Sequence, residues 1–369
     1  MEILQLISSS GYFGAENVLV QLAAELDQDE SCHVVTGVIK NLATPHVEVV
    51  DQSNNKGIET AVFPCAGKFD YKTVLQLRQY IRANKIEIVH SHGYKSNLYS
   101  FFASLGVPVK LVATCHNWLG DDSKMKLYSS LDRFFLKRFS SVVAVSLAVQ
   151  EKILQSGISP ERVLTVRNGI DLSRFNEQNF SANLKKDLGI PERHLVVGTV
   201  GRLSSEKGHR HFLNCVEAIE KEYPQTTFLV VGDGKLREEL QQSFNRKNII
   251  FTGLRNDLPE LYNCMDIFVL PSLTEGLPMV LLEAMASYLP VVVTRVGDVP
   301  RVVVENETGF LVDAGDEESM KKWLLTLLGD SVKRKSMGQK GYQRVKEGFS
   351  STQMAADYLQ VYRNCLELE

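Results

Sequence analysis

Long apolar runs are missing from this sequence of 369 residues. Those at 142–149 and 290–294 fall far short of the ~20 residues a membrane-spanning helix needs, so no bilayer crossing is expected. The N-terminus has no basic leader, and its apolar stretch at 3–7 is too short for a signal-peptide core, so export is not expected. An excess of one charge is missing too. With 41 Lys and Arg against 44 Asp and Glu the formal net charge is -3, so no global basic field recruits DNA or RNA, and no nucleic-acid motif appears. No C-x-x-C pair occurs among the six cysteines (Cys32, Cys65, Cys115, Cys215, Cys264, Cys365), which read as reduced, mostly buried thiols in a cytosolic protein. No short-period repeat points to a solenoid.

What is present is an ordinary globular composition, 44% hydrophobic and 23% charged, on a length that favours two domains of ~100 to 200 residues each. Short β-branched runs at 3–7, 33–39, 60–63, 86–90, 110–114, 142–145 and 163–166 alternate with helical apolar spacing at 15–26, 71–83, 96–105 and 123–139. That alternation predicts a parallel sheet with crossover helices. A polar stretch at 172–193 reads as a linker, after which strands are expected at 195–200, 227–231, 249–252, 267–270, 291–294 and 309–312. Three helical stretches at 317–328, 332–346 and 352–367 close the chain with no strand after them.

Three loops hold residues with chemistry. The first strand opens into Ser8-Ser9-Ser10-Gly11-Tyr12-Phe13-Gly14-Ala15-Glu16, where glycines at a helix start let backbone approach an anion. The dinucleotide pattern G-x-G-x-x-G is absent, and a plain strand-to-helix turn is the competing reading. The strand at 195–200 runs into Gly201-Arg202-Leu203-Ser204-Ser205-Glu206-Lys207-Gly208, at the edge of the sheet where open α/β folds bind ligands. Arg202 and Lys207 suit a diphosphate leaving group, or they are solvated surface cations. Pro271 to Pro278 precede an apolar helix that carries Glu283, eight positions after Glu275. A carboxylate in that setting needs a partner, either ribose hydroxyls or a neighbouring Arg or Lys.

At these residues the chain resembles glycosyltransferase family 4, of the GT-B fold type, over essentially its whole length. The matching pieces of the first half are the Gly-rich loop, Ile88-Val89-His90-Ser91-His92, Cys115-His116-Asn117 and Val166-Arg167-Asn168-Gly169-Ile170-Asp171. Those of the second half are Gly201-Arg202 with Lys207-Gly208, Val231-Gly232-Asp233-Gly234, Phe251-Thr252-Gly253, the Glu275/Glu283 pair and Thr308-Gly309-Phe310-Leu311-Val312.

The resemblance implies two Rossmann-like domains with parallel sheets facing a central cleft. These are an acceptor-binding domain over 1–175, completed by a crossing helix over 349–369, and a nucleotide-sugar domain over 190–348. It implies that Arg202 and Lys207 grip the donor diphosphate, with Gly201 beside them and Gly14 nearby. Glu283 holds the ribose, and Leu254 and Leu258 flank the base. Glu275 holds the transferred sugar together with backbone at Gly276, Leu277, Pro278 and Met279, and His116 reaches the sugar or the reacting centre. Tyr12, Glu16, His92, Tyr94 and Asn168 are expected on the acceptor side. The implied activity is a metal-independent, retaining transfer of a sugar from a nucleotide diphosphate sugar, UDP-linked by expectation, to a glycan or lipid-linked acceptor in polysaccharide or glycoconjugate synthesis. The nucleotide sugar is substrate, and no cofactor is expected.

Other patterns carry less. Asp27-Gln28-Asp29 is literally D-x-D, a cation-binding pattern of a different glycosyltransferase fold, but it ends an amphipathic helix and reads as a solvated terminus. His90, His92 and His116 lack a carboxylate at ligand spacing and read as neutral imidazoles lining a cleft, with no metal. The basic and aromatic stretch Lys124-Met125-Lys126-Leu127-Tyr128, continuing to Arg133-Phe134-Phe135-Leu136-Lys137-Arg138-Phe139, reads as a crossover helix. Peripheral contact with the inner face of the membrane is held open on that stretch. A nucleotide-sugar epimerase of the same fold and a catalytically inactive nucleotide-sugar-binding subunit are the alternative functions.

Overall fold

The structure is a computed structural model that describes residues 1–8, 11, 14–116, 132–175 and 184–367. Two compact units divide the chain, Met1–Gly169 with Ser351–Glu369, and Ile170–Ser350.

The first unit is built on seven strands: β1 (Glu2–Ile7), β2 (His33–Asn41), β3 (Glu59–Cys65), β4 (Ile88–His92), β5 (Lys110–Cys115), β6 (Ser141–Ala144) and β7 (Val163–Thr165). Every pairing is parallel, in the order β3-β2-β1-β4-β5-β6-β7. The central strands are apolar along their whole length because side chains on both faces are covered: Leu4 and Leu6 join one core cluster, and Ile7 and Val38 join another with Leu19 and Val20 of the helix Gly14–Asp27. The helix Tyr71–Ala83 starts where the Asp70 side chain accepts the Lys72 N–H, and it buries Val74, Leu77 and Ile81 at helical spacing.

Two elements differ from the sequence expectation. The fourth strand begins at Ile88 rather than at 86, because the Ile86 N–H bonds back to Ile81 O in the turn that ends the preceding helix. Its register with β1 (Ile3↔Ile88, Ile7↔His92) carries His92 onto the strand end. The helix Glu48–Asn55 buries only Val49 and Ser53, too few positions to show a period in the sequence.

The second unit holds β8 (Leu195–Val200), β9 (Thr226–Val231), β10 (Ile249–Gly253), β11 (Ile267–Leu270), β12 (Val291–Thr294) and β13 (Gly309–Val312), all parallel, in the order β10-β9-β8-β11-β12-β13. Counted from each unit's first strand, both sheets contain the Rossmann order 3-2-1-4-5-6, the first extended by β7, and the order reverses between β1 and β4 and between β8 and β11. The unit boundary falls at Gly169 rather than at 175. Ile170, Phe175, Leu184 and Ile190 pack in one core with Tyr262 and Leu281, so much of the polar stretch at 172–193 is anchored to the second unit rather than a free linker. The last helix, Ser351–Glu367, belongs to the first unit, with Tyr358 and Tyr362 buried there.

Of the basic and aromatic stretch, 124–131 lies outside the described residues. Phe135, Leu136 and Phe139 are buried in the first unit's core, and Arg138 lies 4.3 Å over the exposed Phe134 ring. The D-x-D carboxylates serve backbone: Asp27 accepts the Val34 N–H, and Asp29 accepts from both the N–H and the hydroxyl of Ser31. Among the described residues no helix is long and apolar enough to cross a membrane.

Candidate active site

In the second unit the loops that leave β8 and β11 flank the reversal of strand order, the position at which open α/β sheets bind ligands. Gly208 lets them touch. Its φ is +63°, and a Cβ there would lie 2.0 Å from the Pro271 carbonyl oxygen, a contact that no other side chain survives. The Leu273 N–H donates to Glu206 O at 2.8 Å across the same junction. The consequence is a charged cluster: Lys207 Nζ lies 2.7 and 2.9 Å from the two Glu275 oxygens, and the Ser272 hydroxyl donates to Oε1 at 2.6 Å. The Glu275 side chain is only 7% exposed, so its charge is matched inside the protein. The loop after β12 buttresses it from behind, the Asp298 N–H donating to Gly276 O at 3.0 Å.

Arg202 shares the loop but not the cluster, its exposed guanidinium pairing with Glu206 at 3.1 Å. Gly201 is half-buried, held by its N–H on Val231 O. Gly276 is exposed, with open space where a Cβ would sit. Leu277 and Met279 are half-buried against the core, and the buried Pro278 is the N-cap of the helix Met279–Ala286. A proline offers no capping side chain, so the first N–H groups of this helix have no side-chain cap.

That helix buries Glu283 to 8% exposure. The Tyr262 hydroxyl donates to its Oε2 at 2.9 Å, and no ion pair to it occurs within 4 Å among the described residues. Burial raises the carboxyl above the ordinary range, while the Tyr262 hydrogen bond and the Arg174 charge pull it back. Leu258 is half-buried on the same core, and Leu254, after β10, is 79% exposed.

In the first unit His116 follows β5, and its Nε2 lies 3.0 Å from His92 Nδ1 with the rings stacked. Burial pushes His116 down to about 4 and His92 well below its ordinary value, so both are neutral near pH 7. At the C-terminal ends of β1 to β4 lies a cavity of about 600 Å³ lined by Ser8, Asn41, Lys68, His92, Tyr94 and Lys95, among others. His92 and Tyr94 meet there. Glu16 and Asn168 are buried and are not part of its wall. Gly14 opens the helix Gly14–Asp27 with nothing within 4 Å of a Cβ position, so packing gives no reason for a glycine there. Tyr12 and Asn117 lie outside the described residues. His90 is fully buried rather than lining a surface. Among the described residues no group of three His, Cys, Asp or Glu is placed to hold a metal ion.

Four side chains of these surroundings escaped the sequence reading. Ser272 and Tyr262 each complete a carboxylate's shell, and Gln5 contacts His92. His209, next to Gly208, is 3% exposed with both ring nitrogens unpartnered, and burial lowers it to about 4. Only Ser272 left a trace, a polar residue in a loop already singled out.

Comparison with known proteins identifies the family. A family model described as Glycosyltransferase Family 4 matches residues 13–174, and one described as Glycosyl transferases group 1 matches residues 194–330. The Escherichia coli UDP-Gal:alpha-D-GlcNAc-diphosphoundecaprenol alpha-1,3-galactosyltransferase is 29% identical over 278 residues, covering 71% of this chain and 72% of the relative. The alpha-maltose-1-phosphate synthase of Mycolicibacterium smegmatis is 29% identical over 311 residues, covering 76% and 80%. The crystal structure of Anabaena HepE in complex with UDP is similar with a TM-score of 0.84 at 23% identity, over 99% of this chain and 100% of that one, a likeness of fold. With one family model on each Rossmann-like unit, the chain belongs to the family 4, group 1 glycosyltransferases of the GT-B fold.

Proposed function

We propose that this glycosyltransferase moves a hexose from a UDP-sugar to a glycan or lipid-linked acceptor, with retention at the anomeric carbon and without a metal ion. The observation that carries the reading is the Lys207–Glu275–Ser272 cluster at the strand-order reversal of the second unit. An ammonium has three N–H groups, and its contacts with Glu275 leave one for a phosphate oxygen. In the proposed step the bond from the anomeric carbon to the diphosphate oxygen breaks, and the bond to the acceptor oxygen forms on the same face. The acceptor proton passes to the departing phosphate. Lys207, with Arg202 turned from Glu206, neutralises the charge that grows on the diphosphate, the task a metal performs elsewhere. Glu275 and the uncapped start of the helix Met279–Ala286 hold sugar hydroxyls, Glu283 holds the ribose, and Leu254 covers the base. His116 hydrogen-bonds a sugar hydroxyl.

The donor assignment draws support from the E. coli relative, whose name specifies UDP-Gal, and from the UDP in the HepE crystal. The relatives reported above are named as a transferase and a synthase, which leaves the epimerase reading without support. A panel of nucleotide sugars screened by thermal stabilisation identifies the donor, since a ligand bound only to the folded state raises Tm by mass action. The linkage formed from an α-linked donor is then read by NMR. A UDP-sugar is expected to stabilise the protein and to give an α-linked product; a β-linked product removes the retaining mechanism.

A further inference from the structure

One hydrogen-bonded line of seven side chains crosses the interior of the first unit and ends on His116. From the last helix, the Tyr358 hydroxyl lies 2.7 Å from Thr114 Oγ1, which lies 2.7 Å from His90 Nε2. His90 Nδ1 is 2.7 Å from the Tyr362 hydroxyl. Gln5 Nε2 donates to that hydroxyl at 2.9 Å, and Gln5 Oε1 is 2.9 Å from His92 Nε2. His92 Nδ1 reaches His116 Nε2 at 3.0 Å. Gln5, His90 and His92 share a face because Gln5 pairs with His90 across β1 and β4 and side chains two apart on a strand point the same way. All members but His116 are at most 3% exposed, so water does not compete for these groups.

The amide at the centre gives the line a direction. With Nε2 spent on Tyr362, Gln5 offers His92 only an oxygen, which accepts and cannot donate. His92 Nε2 must therefore carry the ring hydrogen. A neutral imidazole has one N–H, which leaves His92 Nδ1 bare, and a bare nitrogen can only accept. The hydrogen between the two rings thus belongs to His116 Nε2. His116, held neutral by burial, keeps a lone pair on Nδ1, which has no hydrogen-bond partner among the described residues.

We propose that Gln5, His92 and Tyr362 are positioning residues that fix His116 as its Nε2–H tautomer and present Nδ1 as a hydrogen-bond acceptor for a substrate hydroxyl. With the Gln5 amide reversed, every hydrogen along the line would reverse, and His116 would present a donor instead. A glutamine on the first strand and a tyrosine on the last helix thereby select which hydroxyl geometry the imidazole accepts. The role toward substrate rests on the reading of His116 given above; the tautomer does not.

The test is ¹H–¹⁵N correlation spectroscopy of the full chain labelled in histidine at pH 7.5, with His116 assigned from His116→Gln. A protonated-type shift at His116 Nε2 and an unprotonated-type shift at Nδ1 are expected; the opposite pattern in the unmodified protein overturns the proposal. In Tyr362→Phe, or in Gln5→Met should the first variant fail to fold, the single-tautomer signature is expected to be lost as both forms become populated. A folded variant that keeps one Nε2–H tautomer overturns the positioning role of the altered residue. If the tautomer is as stated but His116→Gln transfers sugar with unchanged kcat/KM, the substrate contact fails and the positioning network stands.

Discussion

The proposed function gives Lys207 and Glu283 different tasks on the same ligand. In the proposed site Lys207, paired with Glu275, meets charge that grows during transfer, whereas Glu283, buried with one oxygen on Tyr262, is assigned a group that does not react. Lys207→Ala is accordingly expected to lower kcat by about 10²- to 10³-fold, the scale of losing one preorganised electrostatic contact, with a smaller change in nucleotide affinity. Glu283→Ala is expected to weaken UDP binding by about 1.5 to 3 kcal/mol, the worth of hydrogen bonds to a charged group, measured by titration calorimetry. Equal effects of both variants on kcat and on affinity would refute the division of labour. Lys207 was legible in the sequence as a cation in the loop after a strand end, and Glu275 through the family resemblance; their ion pair follows from the meeting of the two loops. Tyr262 was not legible. It lies 21 positions from Glu283, and only the packing of two helices reveals the pair.

At the scale of elements, two glycines at helix starts make opposite predictions. Gly208→Ala puts a Cβ 2.0 Å from Pro271 O at a φ of +63°, so the loops after β8 and β11 must part. A loss of stability of more than about 1 kcal/mol in urea unfolding, with a fall in kcat/KM, is expected. Gly14→Ala meets nothing within 4 Å and sits in the first turn of a helix, so it is expected to leave stability unchanged or raise it by up to about 1 kcal/mol. If Gly14 admits the donor diphosphate, transfer slows all the same; full activity in Gly14→Ala would remove it from the donor site. The strands were legible from β-branched runs, since doubly covered parallel strands are apolar throughout. The start of β4 was misplaced because Ile86 is buried like a strand residue yet serves the preceding turn. The helix Glu48–Asn55 left no period to read.

For the whole molecule, acid stability follows from its buried imidazoles. Burial lowers His90 to about 3 and His116 and His209 to about 4, and pushes His92 down as well, against an unfolded value near 6.5. A lowered histidine is neutral in the fold and protonated once released, so its contribution is complete above the unfolded value. It is lost as pH falls toward the folded one, by up to about 2 kcal/mol each between pH 6.5 and 5. Unfolding at pH 5.5 is expected to take up about three protons, measured by calorimetry in buffers of different ionisation enthalpy; uptake near zero would contradict neutral burial. The two-unit α/β plan was legible in the sequence, because alternating strands and helices restart after the polar stretch at 172–193. The hydrogen-bonded line behind His116 was not, since it joins Gln5, His90, Thr114 and Tyr362 from four separate segments.

Because Ser351–Glu369 belongs with Met1–Gly169, the residues of the Ile170–Ser350 unit are all synthesised before those of the other unit are complete. Synthesis through Ser350 supplies every residue of the later half, while the earlier half waits for the final helix to bring Tyr358 and Tyr362 to Thr114, His90 and Gln5. A nascent chain arrested before that helix therefore holds every residue of the Ile170–Ser350 unit, while Gln5, His90 and Thr114 lack their tyrosine partners until the helix emerges.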